Sequence, residues 1–117
     1  NIATRSGGRR IYMKFIFEVI VKPGFTVEQY AANWIRASEI IQQTPGALGT
    51  RLHRDLNNPN RLLAIANWES RQARDQKDDN RSKIVRDILA EHYQKCEINI
   101  IGEFDEPEWV VIPGRVG

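Results

Sequence analysis

Cysteine is almost missing from this chain: Cys96 stands alone among 117 residues. One thiol builds neither a disulfide framework nor a thiolate zinc site, so a reduced, cytoplasmic setting is expected. Long apolar runs are missing as well. Nothing approaches the roughly 20 residues that a membrane helix needs, so no membrane partner is expected. Blocks of like charge are absent too. The chain holds 17 Lys+Arg against 15 Asp+Glu, and three of the basic residues (Arg5, Arg9 and Arg10) lie in residues 1–12, which contain no acid. The remaining near-neutral body offers no electrostatic footprint for nucleic acid. The two histidines, His53 and His92, are far apart, with no His, Cys or Asp spacing on one element that suits a metal. Gly46 and Gly49 do not form a phosphate loop. The expected cofactor complement is therefore none: no metal, haem or flavin.

What is present is a globular pattern. With 41% hydrophobic and 27% mixed charged residues, the chain is too apolar for disorder and is sized for one domain with one modest core. Residues 1–12 have no apolar stretch of the kind a secretory signal contains. Met13 opens the first strongly patterned segment and is a candidate start, which leaves 1–12 as an N-terminal extension outside the fold. The domain is expected over 13–105, followed by an extended C-terminal tail, 106–117.

Residues 14–21, KFIFEVIV, are β-branched and aromatic and stop at Pro23-Gly24, the signature of a strand. Phe15, Phe17, Val19 and Val21 alternate onto one face, the expected core face. Thr26 and Gln29 form a capping box, and Val27, Tyr30, Ala31, Trp34, Ala37 and Ile41 make one apolar stripe. The spacing predicts a helix over 27–43, ended by Thr44-Pro45-Gly46. Residues 47–56 and 61–69 read as strands joined through Asn57-Asn58-Pro59-Asn60, a hairpin. Ser70 can cap a second helix, polar at first and apolar at Ile84, Val85, Ile88 and Leu89, either continuous or broken near Asp79-Asn80. A fourth strand is expected over 96–104, with Ile98, Ile100 and Phe104 on one face. The order β-α-β-β-α-β is the ferredoxin-like α+β pattern, a four-stranded antiparallel sheet carrying two helices on one face. Ile16, Leu63, Ile65 and Ile101 would leave much of one sheet side apolar and bare, and face-to-face homodimerisation is the simplest remedy.

The string TPGALGTRLHRDLNNPNRLLAIANWESRQARDQ resembles the antibiotic biosynthesis monooxygenase family of dimeric α/β barrels. The residues that carry the resemblance are Pro45-Gly46 before the second strand, Asp55 and Pro59 in the hairpin, Trp68-Glu69-Ser70 closing the third strand, and Ala73 early in the next helix. FEVIVKPG also fits the family's first strand. The resemblance spans 14–105 and implies a ferredoxin-like protomer, two sheets packed as a barrel, and C-terminal segments that reach the partner. It further implies a cofactor-free oxygenation of quinol-like aromatics, or haem degradation, or no assigned activity. The Asn, Trp and His of the haem-degrading branch fall near Phe17, Lys77 and Asp87, none of which matches. A Glu and a His carried by many other members are replaced by Ala66 and Lys77.

Four residues are candidates for binding a small aromatic substrate: Trp34, His53, Asn67 and Trp68. Trp68 either stacks on a ligand or fills the end of the core, and Asn67 either donates to a substrate oxygen or supports the turn. Arg51 and His53 share a strand face. If the hairpin pairs them with Ala64 and Ala66, they line a cavity with Trp68, and His53 could take a phenolic proton; otherwise they blunt a solvent-facing edge. His92 reads as a cation at a helix C-terminus, and Ser70 as a cap, not a nucleophile. Third-strand aliphatics, RLLAIANW, argue against the aromatic platform of an RNA-binding sheet. Two functions remain, a cofactor-free monooxygenase and a dimeric small-molecule-binding or stress-associated protein without turnover.

Overall fold

The computed structural model describes residues 12–76, 79–90 and 92–114. β1 (Met13–Val21) leads into α1 (Val27–Ile41), the hairpin β2 (Ala47–Arg54) and β3 (Arg61–Trp68), three helical pieces α2 (Arg71–Arg74), α3 (Asp79–Leu89) and α4 (His92–Lys95), and β4 (Cys96–Asp105). The four strands form one antiparallel sheet in the order β2-β3-β1-β4. This is the ferredoxin-like α+β fold that the sequence pattern predicts.

The capping box forms as the side-chain chemistry dictates. Thr26 Oγ1 accepts from the Gln29 N–H at 3.1 Å, and Gln29 Oε1 accepts from the Thr26 N–H at 2.9 Å. α1 then lays Val27 and Tyr30 onto Val19, Val21 and Leu62, with Phe25 and Cys96 completing the main core and Phe17, Trp34 and Leu52 packed beside it. α3 packs against α1 on the same side of the sheet. The second helix is broken ahead of Asp79: Ser70 Oγ accepts from the Ala73 N–H and starts α2, which ends at Asp75. On α3, Val85, Ile88 and Leu89 are half-buried, whereas Ile84 lies exposed at an outer groove with Arg36 and Asp87.

Cross-strand pairs fix the faces. Phe15, Phe17 and Val19 lie opposite Ala66, Ala64 and Leu62, and Met13 lies opposite Trp68, so all of these face the helices. Lys14, Ile16, Glu18 and Ile20, with Asn67, Ile65, Leu63 and Arg61, make the open face. There Arg61 bridges Glu18 and Asp55 at 2.7 and 2.9 Å, and Asn99 donates to Glu18. These bonds hold the Glu18 carboxyl below its ordinary range, and the Asn57 N–H, followed by Arg61, does the same for Asp55.

Two expectations are corrected, and one open alternative is decided. In β4 the pairing shifts at a bulge, with Ile16 opposite Gly102 but Phe17 opposite Ile100. Ile101 is the extra residue, and alternation reverses across it. Ile98 and Ile100 therefore face the helices while Phe104, opposite Lys14, lies on the open face. His92 does not sit as an exposed cation. It is fully buried, with its ring 4.5 Å from Tyr30 and 5.7 Å from Phe25, and Nε2 accepts from the Asn33 amide at 3.2 Å. α3 has already ended at Leu89, and the following turn at Ala90 carries His92 inward on α4. Finally, the hairpin register is not the one that would put Arg51 and His53 opposite alanines, as described below.

Residues 106–114 run on from β4 without regular structure, leaving Trp109 85% and Val111 97% exposed. Among the described residues, no helix is long and apolar enough to cross a membrane. The extension 1–11, Lys77 and residues 115–117 lie outside the described residues.

Candidate functional site

The geometry of the site begins with a glycine. Gly46 has φ +92, a backbone state that L side chains resist. A Cβ built there would stand 2.5 Å from the Ala73 Cβ. The Gly46 carbonyl accepts from the Glu69 N–H at 2.8 Å. The start of β2 is thus fastened to the turn after β3, and α2 rests directly on it. Proline at 45, glycine at 46, serine at 70 and alanine at 73 therefore share one physical purpose: a close approach that fixes where Trp68 leaves the sheet and where α2 begins.

Trp68 is 5% exposed on the helix face, and it lies at a groove of about 340 Å³. α1 supplies Ile41, and Thr44 lies just beyond its end; α2 supplies Arg74, with Gln76 after it; α3 supplies Arg81, Ser82, Val85 and Arg86. Positions 81, 82, 85 and 86 form one stripe of α3 because they repeat at helical spacing. Arg74 stacks over Phe15, its guanidinium 4.9 Å from the ring centroid. It is also hydrogen-bonded to Glu103 and Asp75, and Glu103 takes Arg71 at 2.8 Å as well. The β4 bulge makes this possible, since it brings Glu103 opposite Phe15 and onto the helix face.

The sequence-derived candidates separate. Arg51 pairs with Ile65 and His53 with Leu63, whereas Ala64 and Ala66 lie opposite Leu52 and Thr50. The hairpin is thus one residue away from the arrangement that would have gathered Arg51, His53 and Trp68. A shift of register between Ala47 and Thr50, where Gly49 takes φ +99, belongs to this pairing. His53 and Trp34 do meet at a second groove, of about 450 Å³, on the exposed edge of β2, with Ala31, Ile35, Thr50, Arg51 and Leu52. Asn67 is on the open face, where its Oδ1 accepts from Lys14 Nζ at 2.7 Å. Trp68 lies on the opposite face of the sheet. Sequence reading passed over Arg74, in an almost wholly polar stretch, and over Arg81 and Arg86, which stand beside the apolar stripe; the legible signal was that Arg81 and Arg86 flank Val85 on one helix face.

Chemically, the groove offers guanidinium donors for oxyanions beside the small exposed part of Trp68, whose ring is otherwise packed into the core. Among the described residues, no group of three His, Cys, Asp or Glu is placed to hold a metal ion.

Comparison with known proteins agrees with this fold. No curated protein matches the chain in sequence. Among solved structures, SnoaB from Streptomyces nogalater, a cofactor-independent oxygenase, superposes with a TM-score of 0.68 at 15% identity, covering 88% of this chain and 98% of that one. A conserved protein from Methanosarcina mazei gives 0.59 at 22% identity, covering 78% and 91%. A dimeric ferredoxin-like protein of unknown function from Thermobifida fusca gives 0.56 at 13% identity, covering 83% and 92%. These likenesses are of fold. The family model described as antibiotic biosynthesis monooxygenase matches residues 13–81, from the first core strand through the Gly46–Ala73 contact to the first residues of α3, and the chain belongs to that family.

Proposed function

We propose that the protein is a cofactor-free monooxygenase for a small electron-rich aromatic molecule, with the Trp68 groove as its substrate site. The observation that carries this reading is the placement of Trp68 and guanidinium groups around one groove. An aromatic ring lies in the groove against Ile41, Val85 and the exposed margin of Trp68, and a phenolate or enolate oxygen is held by positive charge, which favours the deprotonated substrate. Such an anion can give one electron to O₂; recombination with the superoxide formed yields a peroxide that loses water. For an anthrone-like methylene the balance is CH₂ + O₂ → C=O + H₂O, with no outside reductant. Trp34 and His53 form a separate edge groove in this reading, and Asn67 belongs to the open face.

The open face of the sheet, with Ile16, Leu63, Ile65 and Phe104, is proposed to pack on that of a second copy, giving a homodimer. The family membership and the dimeric relative from Thermobifida fusca support this. The lone buried Cys96 fits a cytoplasmic setting.

Oxygen uptake with a panel of anthrones and quinols tests the function. The expected result is one O₂ consumed per oxygenated product by metal- and flavin-free protein, with Trp68→Phe at least tenfold slower. Uptake no faster than in buffer across the panel would instead support a binding protein without turnover.

A further inference from the structure

β2 closes one edge of the sheet, with β3 on one side and no described strand on the other. The Asp55 N–H donates to the Arg61 carbonyl at 3.0 Å. By alternation, Arg51 and His53 turn their backbone groups to β3, while Thr50, Leu52 and Arg54 turn theirs outward. At the start of the strand the Gly49 N–H is taken by Gln42 Oε1 at 2.8 Å. Among the described residues, no side chain does the same for the outward groups from 50 to 54. Alongside this edge, Ala31, Trp34 and Ile35 of α1 form with Thr50 and Leu52 the groove of about 450 Å³, and Ile35 is half exposed in it. The edge thus offers backbone hydrogen bonds beside an apolar shelf, the pairing that strand addition uses.

The chain also carries a strand-like segment with no sheet. Residues 108–112 keep every N–H between Pro107 and Pro113, and they match the outward edge 50–54 in length. Trp109, Val110, Val111 and Ile112 are all exposed, and a run apolar on both faces suits a strand covered on both sides. Glu106 and Glu108 bring negative charge to an edge that carries Arg51 and Arg54. The tail cannot reach that edge within its own chain. It leaves from β4, on the far side of the sheet, and a place outside β2 is four strand spacings away, about 19 Å. The three links from Asp105 to Glu108 span at most about 11 Å. The outer edge of β4 itself is interrupted by the bulge, a device that discourages strand addition. We infer that residues 108–112 of a second copy add as a strand along the outer edge of β2, so that the groove at Trp34 and His53 is a docking site for that copy's tail. The inference rests on the proposed homodimer and deepens it.

Amide hydrogen exchange read residue by residue tests this on full-length chains, with Val110→Asp/Val111→Asp as the altered tail. Both valines are exposed on the single chain, so the protomer fold does not depend on them. Thr50, Leu52 and Arg54 should exchange at least tenfold faster in the variant, while Arg51 and His53, bonded to β3, exchange alike in both. A second variant, Ile35→Glu, puts a charge in the groove at a half-exposed position and should weaken dimerisation at least tenfold in sedimentation. Outward amides that exchange alike in the two proteins, protection lost on β4 in place of β2, or an Ile35→Glu dimer as tight as the unaltered one would overturn the inference. Its failure is distinguishable from failure of the homodimer. A dimer whose outward β2 amides do not respond to the tail refutes the docking alone. A single-chain mass of 13.5 kDa at micromolar concentration refutes the homodimer and the docking with it.

Discussion

Replacing Gly46 by alanine tests whether the close approach between β2 and α2 organises this end of the molecule. Two costs combine. The backbone at φ +92 puts an L side chain in the left-handed region, at about 1–2 kcal/mol. The new methyl would lie 2.5 Å from the Ala73 Cβ, where carbons settle at about 3.5–4.0 Å. Overpacking of that kind costs about 1–3 kcal/mol. Gly46→Ala should therefore destabilise the protein by about 2–5 kcal/mol. Ala73→Gly alone should cost about 1 kcal/mol through helix propensity. In the double variant the steric cost disappears while the backbone cost stays, so the two changes should couple favourably by about 1–3 kcal/mol. Urea unfolding of the four proteins at one fixed concentration measures this, the fixed concentration being needed because association shifts apparent stability. Strict additivity, or a Gly46→Ala cost below about 1 kcal/mol, would show that the contact yields without consequence.

Acid should weaken the protein as pH falls below about 4.5, the ordinary Glu18 value. Both Glu18 and Asp55 are held below their ordinary values, Glu18 first by its hydrogen bond from Arg61 and Asp55 first by the Asn57 N–H, then by Arg61. A depressed carboxyl stabilises above its unfolded pKa and loses that effect on protonation, so Arg61→Gln should flatten the acid limb of a stability–pH curve; an unchanged limb would refute the linkage. Cys96 should resist Ellman's reagent in the native protein and react once per chain after denaturation, because burial raises its thiol pKa, with Lys22 partly offsetting. Rapid native reaction would contradict its burial. Sedimentation at micromolar concentration should give twice the 13.5 kDa chain mass. Deleting 106–117 should weaken that dimer at least tenfold, because Trp109, Val110, Val111 and Ile112 are exposed on the single chain and full burial is worth roughly 1.5–3 kcal/mol per large apolar side chain before ordering costs. An unchanged dissociation constant would place the tail elsewhere.

The elements whose signals are local were legible from sequence. β1 alternates, α1 begins at its capping box, and the turn at Asp55 closes on itself through an Asn57 N–H donated to Oδ1 at 2.7 Å. Features that depend on counting across strands were not. Alternation told that Arg51 and His53 share a face, but the pairing Arg51–Ile65 decides which face, and a register one residue different would have reversed it. His92 illustrates a second limit. Its neighbours in sequence are polar or exposed, and its burial comes from Tyr30 and Phe25, more than sixty residues earlier. In the candidate site, Trp68 was visible as a strand-end aromatic, whereas the arginines around it became recognisable only once α2 and α3 were folded over the same groove.

The bulge at Ile101 shows that chain length itself carries information here. Upstream of it, even-numbered residues of β4 point toward the helices; downstream, odd-numbered ones do. Removing one residue between Asn99 and Gly102 would straighten the strand and leave both of its ends in place: Ile98 would still lie opposite Val19, and Glu103 opposite Phe15 beside Arg71 and Arg74. A deletion scan through 99–102 would thus act less like a series of side-chain losses than like the release of one kink, each single deletion giving much the same unbulged strand whichever residue is taken out.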